Sequence, residues 1–187
     1  MKNRILSSIE VKKKILENEE ILSEIKEISD VMTSCFKSGG KALFCGNGGS
    51  AADAQHLAAE LSGRFYFDRD PLPADALHCN ASFLTAVAND YSYQEVFSRM
   101  VRALGKKGDV LVGISTSGNS ENIVKALETA NNLEMITIGM TGEGGGKMFK
   151  LCRHIIKVPS KDTPRIQEAH IMIGHIICEL IEKNIFS

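Results

Sequence analysis

The stretch that decides the fold is Ala42-Leu43-Phe44-Cys45-Gly46-Asn47-Gly48-Gly49-Ser50-Ala51-Ala52-Asp53-Ala54-Gln55-His56-Leu57-Ala58-Ala59-Glu60. A short apolar run ends in a glycine-rich turn, and an alanine-rich helical pattern follows without a break. Strand, tight turn and helix in that order form the first half of a βα unit. A strand with no polar alternation is one buried on both faces, as in a parallel sheet. Outward from this unit the pattern repeats. Further strands are expected at Ala74 to His78, Val110 to Ile114, Met135 to Gly139 and His154 to Val158, beside the first at Ala42 to Cys45. Helices are expected over Ser50 to Ser62, as a pair within Ser82 to Leu104, over Ser120 to Asn131, and from about Pro164 to Lys183, where proline suits a first helical turn. Gly142 to Gly146 reads as a compact glycine-rich turn after the fourth strand. Before Gly39-Gly40, the segment from Ile5 to Phe36 is rich in Glu, Lys, Ile and Leu at helical spacing, with Asn18 as an interruption. The expected architecture is one α/β domain with a doubly wound, five-stranded parallel sheet flanked by helices. Residues 1–37 form an N-terminal helical extension used for oligomerisation, and residues 38–187 form the α/β core.

Bulk composition agrees with one domain. The 187 residues suffice for one well-buried core, and 43% apolar with 24% charged residues is the balance of a globular chain. A formal net charge of -1 provides no global field for nucleic acid or an anionic membrane, so neither is an expected partner. The N-terminus lacks a signal-peptide pattern and no apolar run reaches membrane-spanning length, which points to the cytoplasm. Five widely spaced cysteines, Cys35, Cys45, Cys79, Cys152 and Cys178, fit buried thiols in a reducing compartment, and none forms a Cys-x-x-Cys pair.

Two loops follow strands and open helices, where backbone amides and the helix dipole favour anions. In the first, Asn47, Gly48, Gly49 and Ser50 offer close main-chain approach and hydrogen bonds. Gly46, Gly48 and Ala51 also match a loose dinucleotide fingerprint. The acidic residue such a site needs after the next strand is missing from His78-Cys79-Asn80, so no nucleotide cofactor is expected. In the second, Ser115, Thr116, Ser117 and Ser120 place four hydroxyls in six residues, enough to surround a phosphate monoester without Lys or Arg. The plainer alternative is that Ser120 only caps the next helix. No Walker lysine is present. His56 and Glu60 lie four residues apart, about 40° around a helix, as a metal or proton-transfer pair would. Gln167 and His175 share one broad face of the last helix, and His170 competes with them but has apolar flanks that suit packing or support. His78 and His154 fall on strands and receive no role.

The Gly-Asn-Gly-Gly-Ser loop, the Ser-Thr-Ser-Gly-Asn-Ser loop and Arg165-Ile166-Gln167-Glu168 together resemble the sugar isomerase (SIS) domain family, and within it the phosphoheptose isomerases, over essentially the whole chain. The resemblance implies an aldose/ketose isomerisation of D-sedoheptulose 7-phosphate to D-glycero-D-manno-heptose 7-phosphate through an enediol. It implies one Zn2+ per subunit, weak or exchangeable, held by His56, Glu60, Gln167 and His175. Glu60 is the candidate base for the carbon proton and His175 the group serving the sugar oxygens. Asn89 and Asp90 match a substrate-contacting segment of the family, and Glu60 and Gln167 join the substrate contacts. Pro164 stands where some members carry an acid. The resemblance also implies a homotetramer with sites shared between subunits, in accord with apolar positions in the N-terminal helices that a small sheet domain cannot all cover. The same family includes sugar-phosphate-sensing regulators and a protein that binds the bacterial replication initiator. The presence of all four acid/base and metal positions favours an enzyme.

Overall fold

The computed structural model describes all 187 residues. Its elements run α1 (Lys2–Leu16), α2 (Glu19–Lys37), β1 (Ala42–Gly46), α3 (Gly49–Ser62), β2 (Ala74–Ala76), α4 (Ala81–Asp90), α5 (Val96–Leu104), β3 (Val110–Ile114), α6 (Glu121–Asn132), β4 (Ile136–Gly142), β5 (His154–Val158) and α7 (Thr163–Phe186). Single 3-10 turns at Tyr93–Glu95 and Gly146–Lys150 lie before α5 and β5. The five strands are all parallel, in the order β2-β1-β3-β4-β5.

Alternation along the strands divides the core into two layers. Phe44, Val112, Ile138 and Met140 point to one face, where Leu57 of α3, Ile28 of α2 and Ile173 of α7 meet them. Leu43 and Leu111 point to the other, against Val87 of α4, Phe97 of α5 and Ile123 of α6. Burial on both faces is why these strands read as unbroken apolar runs. At the amino edge of the sheet, buried Asp109 accepts the Lys41 and Lys106 backbone N–H groups and pairs with the Lys41 ammonium.

Several boundaries move for physical reasons. β2 stops at Ala76 rather than His78, because the chain turns there: Cys79 N–H donates to Ala76 O (3.2 Å), and the Asn80 side chain caps α4 by accepting from Phe83 N–H (3.0 Å). β4 continues past Gly139 to Gly142, since β5 keeps pairing with it through Met140↔Ile156 and Gly142↔Val158. Asn18 does interrupt the N-terminal region, as the N-cap of α2 with its side chain accepting from Ile21 N–H.

The N-terminal helices precede the α/β unit as expected and pack back onto it. Val11, Ile15, Ile25, Ile28, Met32 and Phe36 are buried in the chain's own core, because α2 lies against α7 and β5 and completes the layer over that face, and one side of α1 packs on α7 and α2. Glu24 of α2 reaches the outer side of β5, accepting Ile155 N–H at 3.0 Å, with His154 Nδ1 3.1 Å from the same oxygen. What remains outside is one face of α1, with Ile5, Leu6, Ile9 and Leu16 exposed. All five cysteines are free thiols; Cys35, Cys45 and Cys178 are buried, while Cys79 is exposed. Burial pushes the Cys178 thiol up to about 12 and the Cys35 thiol up to about 11, so both remain protonated packing groups.

Candidate functional site

β1 and β3 are neighbours, but the helices that follow them cover opposite faces: α3 on the α2 and α7 side, α6 on the α4 and α5 side. Their loops therefore diverge from the carboxyl edge of the sheet and open a crevice, the switch point where open α/β sheets bind ligands. In the first loop Gly48 has φ 56° and ψ -121°, a conformation closed to residues with a Cβ, and no side chain caps α3. The Gly48 and Gly49 N–H groups donate to nothing within the chain. In the second, Gly118 has φ 66°, and a Cβ there would lie 2.2 Å from Gly145 O, so this loop is backed directly by the turn after β4. Thr116, Ser117, Ser120 and Glu121 also have N–H groups without an acceptor in the chain. Such amides at helix starts are what an anion requires.

The second loop's hydroxyls converge. Ser115 Oγ lies 3.0 Å from Ser120 Oγ and 3.4 Å from Ser117 Oγ, while Ser117 Oγ accepts Asn119 N–H. Ser120 holds the N-cap position of α6, but its hydroxyl makes no cap bond and faces Ser115 instead, which removes the capping-only reading. Thr116 and Ser117 line a cleft of about 290 Å3 shared with Gly142, Ser160 and Ile166. Its one cation, exposed Lys161, is paired with Glu143.

Asn47 behaves differently from the contact expected of it. Its Nδ2 donates to Asn122 Oδ1 and its Oδ1 accepts from Asn122 Nδ2, both at 2.9 Å, and Tyr93 Oη donates to the same Asn47 Oδ1 at 3.0 Å. That oxygen's two lone pairs are occupied. Asn122 and Tyr93 were not singled out from sequence. A signal existed for the first: Asn122 lies in the buried stripe of α6 with Ile123, Ala126, Leu127 and Ala130, where an amide needs a partner. Asn89 and Asp90 end α4, exposed and bonded to each other at 2.9 Å, three residues before Tyr93.

One helix turn separates His56 from Glu60 on α3, and their side chains meet at 3.0 Å. From α7, His175 brings its Nε2 within 3.4 Å of His56 Nε2. α3 and α7 approach this closely because the facing residue is Gly174, where a Cβ would meet Leu57 at 2.5 Å. His56, Glu60 and His175 each offer one ligand atom, all within 4.8 Å of one another. Two imidazole nitrogens and a carboxylate oxygen in that spacing fit a zinc ion with positions left open. Burial pushes the Asp53 carboxyl, one turn before His56, above its ordinary value. The fourth residue expected with these, Gln167, lies elsewhere: its amide packs on Gly49, at the head of α3. Gly49 precedes His56 by about two turns, roughly 10 Å of helix. Within one chain Gln167 therefore belongs with the first loop. The contact of α7 with the first loop and with α3 is likewise made inside a single chain.

His170 is fully buried, with Nε2 3.1 Å from Thr141 O and Nδ1 unpartnered. Burial lowers its pKa to about 4, so it is a neutral packing group that donates to the sheet. A second buried anchor, absent from the sequence reading, is Glu182 on α7. It accepts the Phe65, Tyr66 and Phe67 N–H groups and Arg69 Nε, at 2.7 to 3.1 Å. Arg69 in turn donates to Glu60 O at 2.9 Å and Leu61 O at 2.8 Å. Burial alone would raise the Glu182 pKa, but these donors outweigh it and hold the carboxyl below its ordinary value.

Known proteins share this chain's sequence and fold. A family model described as SIS domain matches residues 7–142. A phosphoheptose isomerase of Aneurinibacillus thermoaerophilus is 55% identical over 186 residues, covering 100% of this chain and 94% of the relative. One of Clostridium acetobutylicum is 53% identical, covering 98% and 93%. Among solved structures, a phosphoheptose isomerase from Francisella tularensis superposes with TM-score 0.93 at 38% identity, covering 97% of this chain and 96% of the other. One from Neisseria gonorrhoeae does so with TM-score 0.91 at 42% identity and the same coverage.

Proposed function

Because the chain belongs to the SIS domain family, and within it to the phosphoheptose isomerases, we propose that it converts D-sedoheptulose 7-phosphate to D-glycero-D-manno-heptose 7-phosphate for heptose biosynthesis. It is an aldose/ketose isomerase. The observation that carries the residue assignment is the convergence of Glu60 and His175 on His56, from segments 119 residues apart.

In this reading the free amides of Thr116, Ser117 and Ser120 and the hydroxyls of Ser115, Thr116, Ser117 and Ser120 hold the phosphate, and the Gly48 and Gly49 amides hold the sugar end, with Ser50 and Gln167 beside them. Asn89 and Asp90, next to Tyr93, offer an amide and a carboxylate to the hydroxyls. Glu60 takes the proton from C1 of the ketose and returns it to C2, giving the enediol and then the aldose. His175 moves the proton released from O1 to O2, and an imidazole is suited to both halves of that exchange. His56, Glu60 and His175 would hold one Zn2+, which when bound supplies Lewis-acid polarisation of the sugar carbonyl. The three-donor set, with Gln167 elsewhere, accords with a weak or exchangeable ion.

The proposal extends to assembly: a cytoplasmic homotetramer with sites shared between subunits. Two observations support it. The α1 face carries Ile5, Leu6, Ile9 and Leu16 uncovered. The side chains of His56 and Glu60 are 49% and 25% exposed, so the acid/base cluster lies open on the single chain, while proton transfer to an enediol calls for excluded water.

The experiment is incubation of the purified protein with sedoheptulose 7-phosphate, with and without chelator, following aldose formation and solvent deuterium in the product. Aldose bearing deuterium at C2, with turnover lost to chelator and restored by Zn2+, is the expected result. Binding of the sugar phosphate without turnover would mark the protein as a sensor and end the enzymatic reading.

A further inference from the structure

We propose that Asn122 and Tyr93 are positioning residues that clamp the Asn47 side chain, fix the two ligand loops at one separation, and thereby set affinity for the phosphorylated substrate. For the identity of that substrate the inference rests on the isomerase reading above.

The argument begins with where the three residues lie. Asn47 is in the loop between β1 and α3, and Asn122 is the second residue of α6, two positions after Ser120. α3 and α6 pack on opposite faces of the sheet, so their first turns have no shared apolar layer to hold them in register. The Asn47 and Asn122 amides close that gap with two reciprocal bonds of 2.9 Å, a cyclic amide pair spanning the crevice. The Tyr93 hydroxyl adds a third bond at 3.0 Å from the segment between α4 and α5. Asn122 is 4% exposed and its Oδ1 also accepts Ile123 N–H at 3.0 Å, so losing Asn47 would leave its desolvated Nδ2 group without an acceptor.

The pair touches neither acid/base group. Glu60 lies beyond His56 on α3, more than two turns below the loop, and is held there by Arg69 and the contact with α7 rather than by the amide pair. Loosening the clamp therefore misplaces the free amides of Gly48, Gly49, Ser120 and Glu121 while leaving the proton-transfer groups in place. The two effects separate in kinetics: binding suffers and the chemical step does not.

The test measures KM and kcat for sedoheptulose 7-phosphate, and the Kd of inorganic phosphate by calorimetry, in wild type, Asn122→Ala and Tyr93→Phe. Asn122→Ala is expected to raise KM and phosphate Kd together by about tenfold with kcat changed less than about threefold, and Tyr93→Phe to move both constants the same way by about threefold. Tyr93 is an exposed residue that loses only a hydroxyl, so this variant carries the test if Asn122→Ala does not fold. Unchanged KM and Kd in the folded variants, or a fall in kcat at constant KM, overturns the clamp. A wild type that binds phosphate but turns over no sedoheptulose 7-phosphate sinks the isomerase reading alone, and the phosphate titrations then still decide the clamp.

Discussion

Glu60 and His56 share a point in space because four residues bring an α-helix about 40° past a full turn, and this part of the site could be read from spacing alone. Replacing the carboxylate by its amide isostere keeps the packing and removes the base: Glu60→Gln should lower kcat by about 10²- to 10⁴-fold while phosphate affinity in calorimetry stays within about twofold of wild type. Unchanged turnover would remove Glu60 from the mechanism. Helical phase gives direction but not depth, so Gln167 and His175 read as one set although their side chains end beside different parts of α3. Nor could sequence reveal that the Asn47 oxygen is consumed by Asn122 and Tyr93, since such pairs join residues that only the fold brings together. Two buried groups shape the acid response. His170 is lowered to about 4 from an unfolded value near 6.5, so its contribution is complete above about pH 6.5 and is lost as pH falls towards 4. Glu182 is also lowered, so its stabilisation is present above about pH 4.5 and is lost on further acidification. Thermal melts across pH should therefore fall in two stages, and His170→Leu should flatten the stage between pH 6.5 and 4. Glu182→Gln should cost about 3 kcal/mol at pH 7 by stranding Arg69, with the gap to wild type closing in acid.

At the level of elements, the parallel sheet was legible because its three central strands, β1, β3 and β4, are buried on both faces and every strand but β4 is followed by a helix signal. β3 begins and ends where its apolar run does, and β5 keeps its expected bounds although His154 and Lys157 interrupt the apolar pattern. The errors lie where a turn or a pairing partner decides the end of a strand, at Ala76 and at Gly142, and pattern carries no information about either. The crossing of α3 and α7 was also invisible, since it depends on one missing side chain. At Gly174 any Cβ meets Leu57, and Leu57 is held beside Phe44, Leu61 and Ile177 around a void of only about 20 Å3. Gly174→Val should therefore push the helices apart, costing about 1–3 kcal/mol in denaturant titration and separating His175 from His56. Turnover falling with intact phosphate affinity would confirm this; unchanged turnover in a folded variant would refute it.

For the whole molecule, α2 belongs to the core while α1 keeps an uncovered apolar face, which makes α1 one element of the proposed subunit contact. That division between a core helix and an outer one could not be read from the Ile5 to Phe36 pattern, because both helices are amphipathic and sequence does not say which surface covers each. The double substitution Ile5→Glu with Ile9→Glu should shift the protein to smaller species in light scattering and make activity fall on dilution, with the fold retained by circular dichroism. An assembly unaffected by both charges would place the contact elsewhere.

The Glu24 carboxylate on Ile155 bears on how copies of this protein avoid joining wrongly. A bordering strand normally offers its outward amides to any passing chain, and such zippering is how sheets grow into fibrils. Here a helix side chain already occupies one of those amides, and the opposite border, β2, is only three residues long. Lateral growth is thus discouraged at both margins, so heated Glu24→Ala protein should form thioflavin-positive aggregates sooner than wild type.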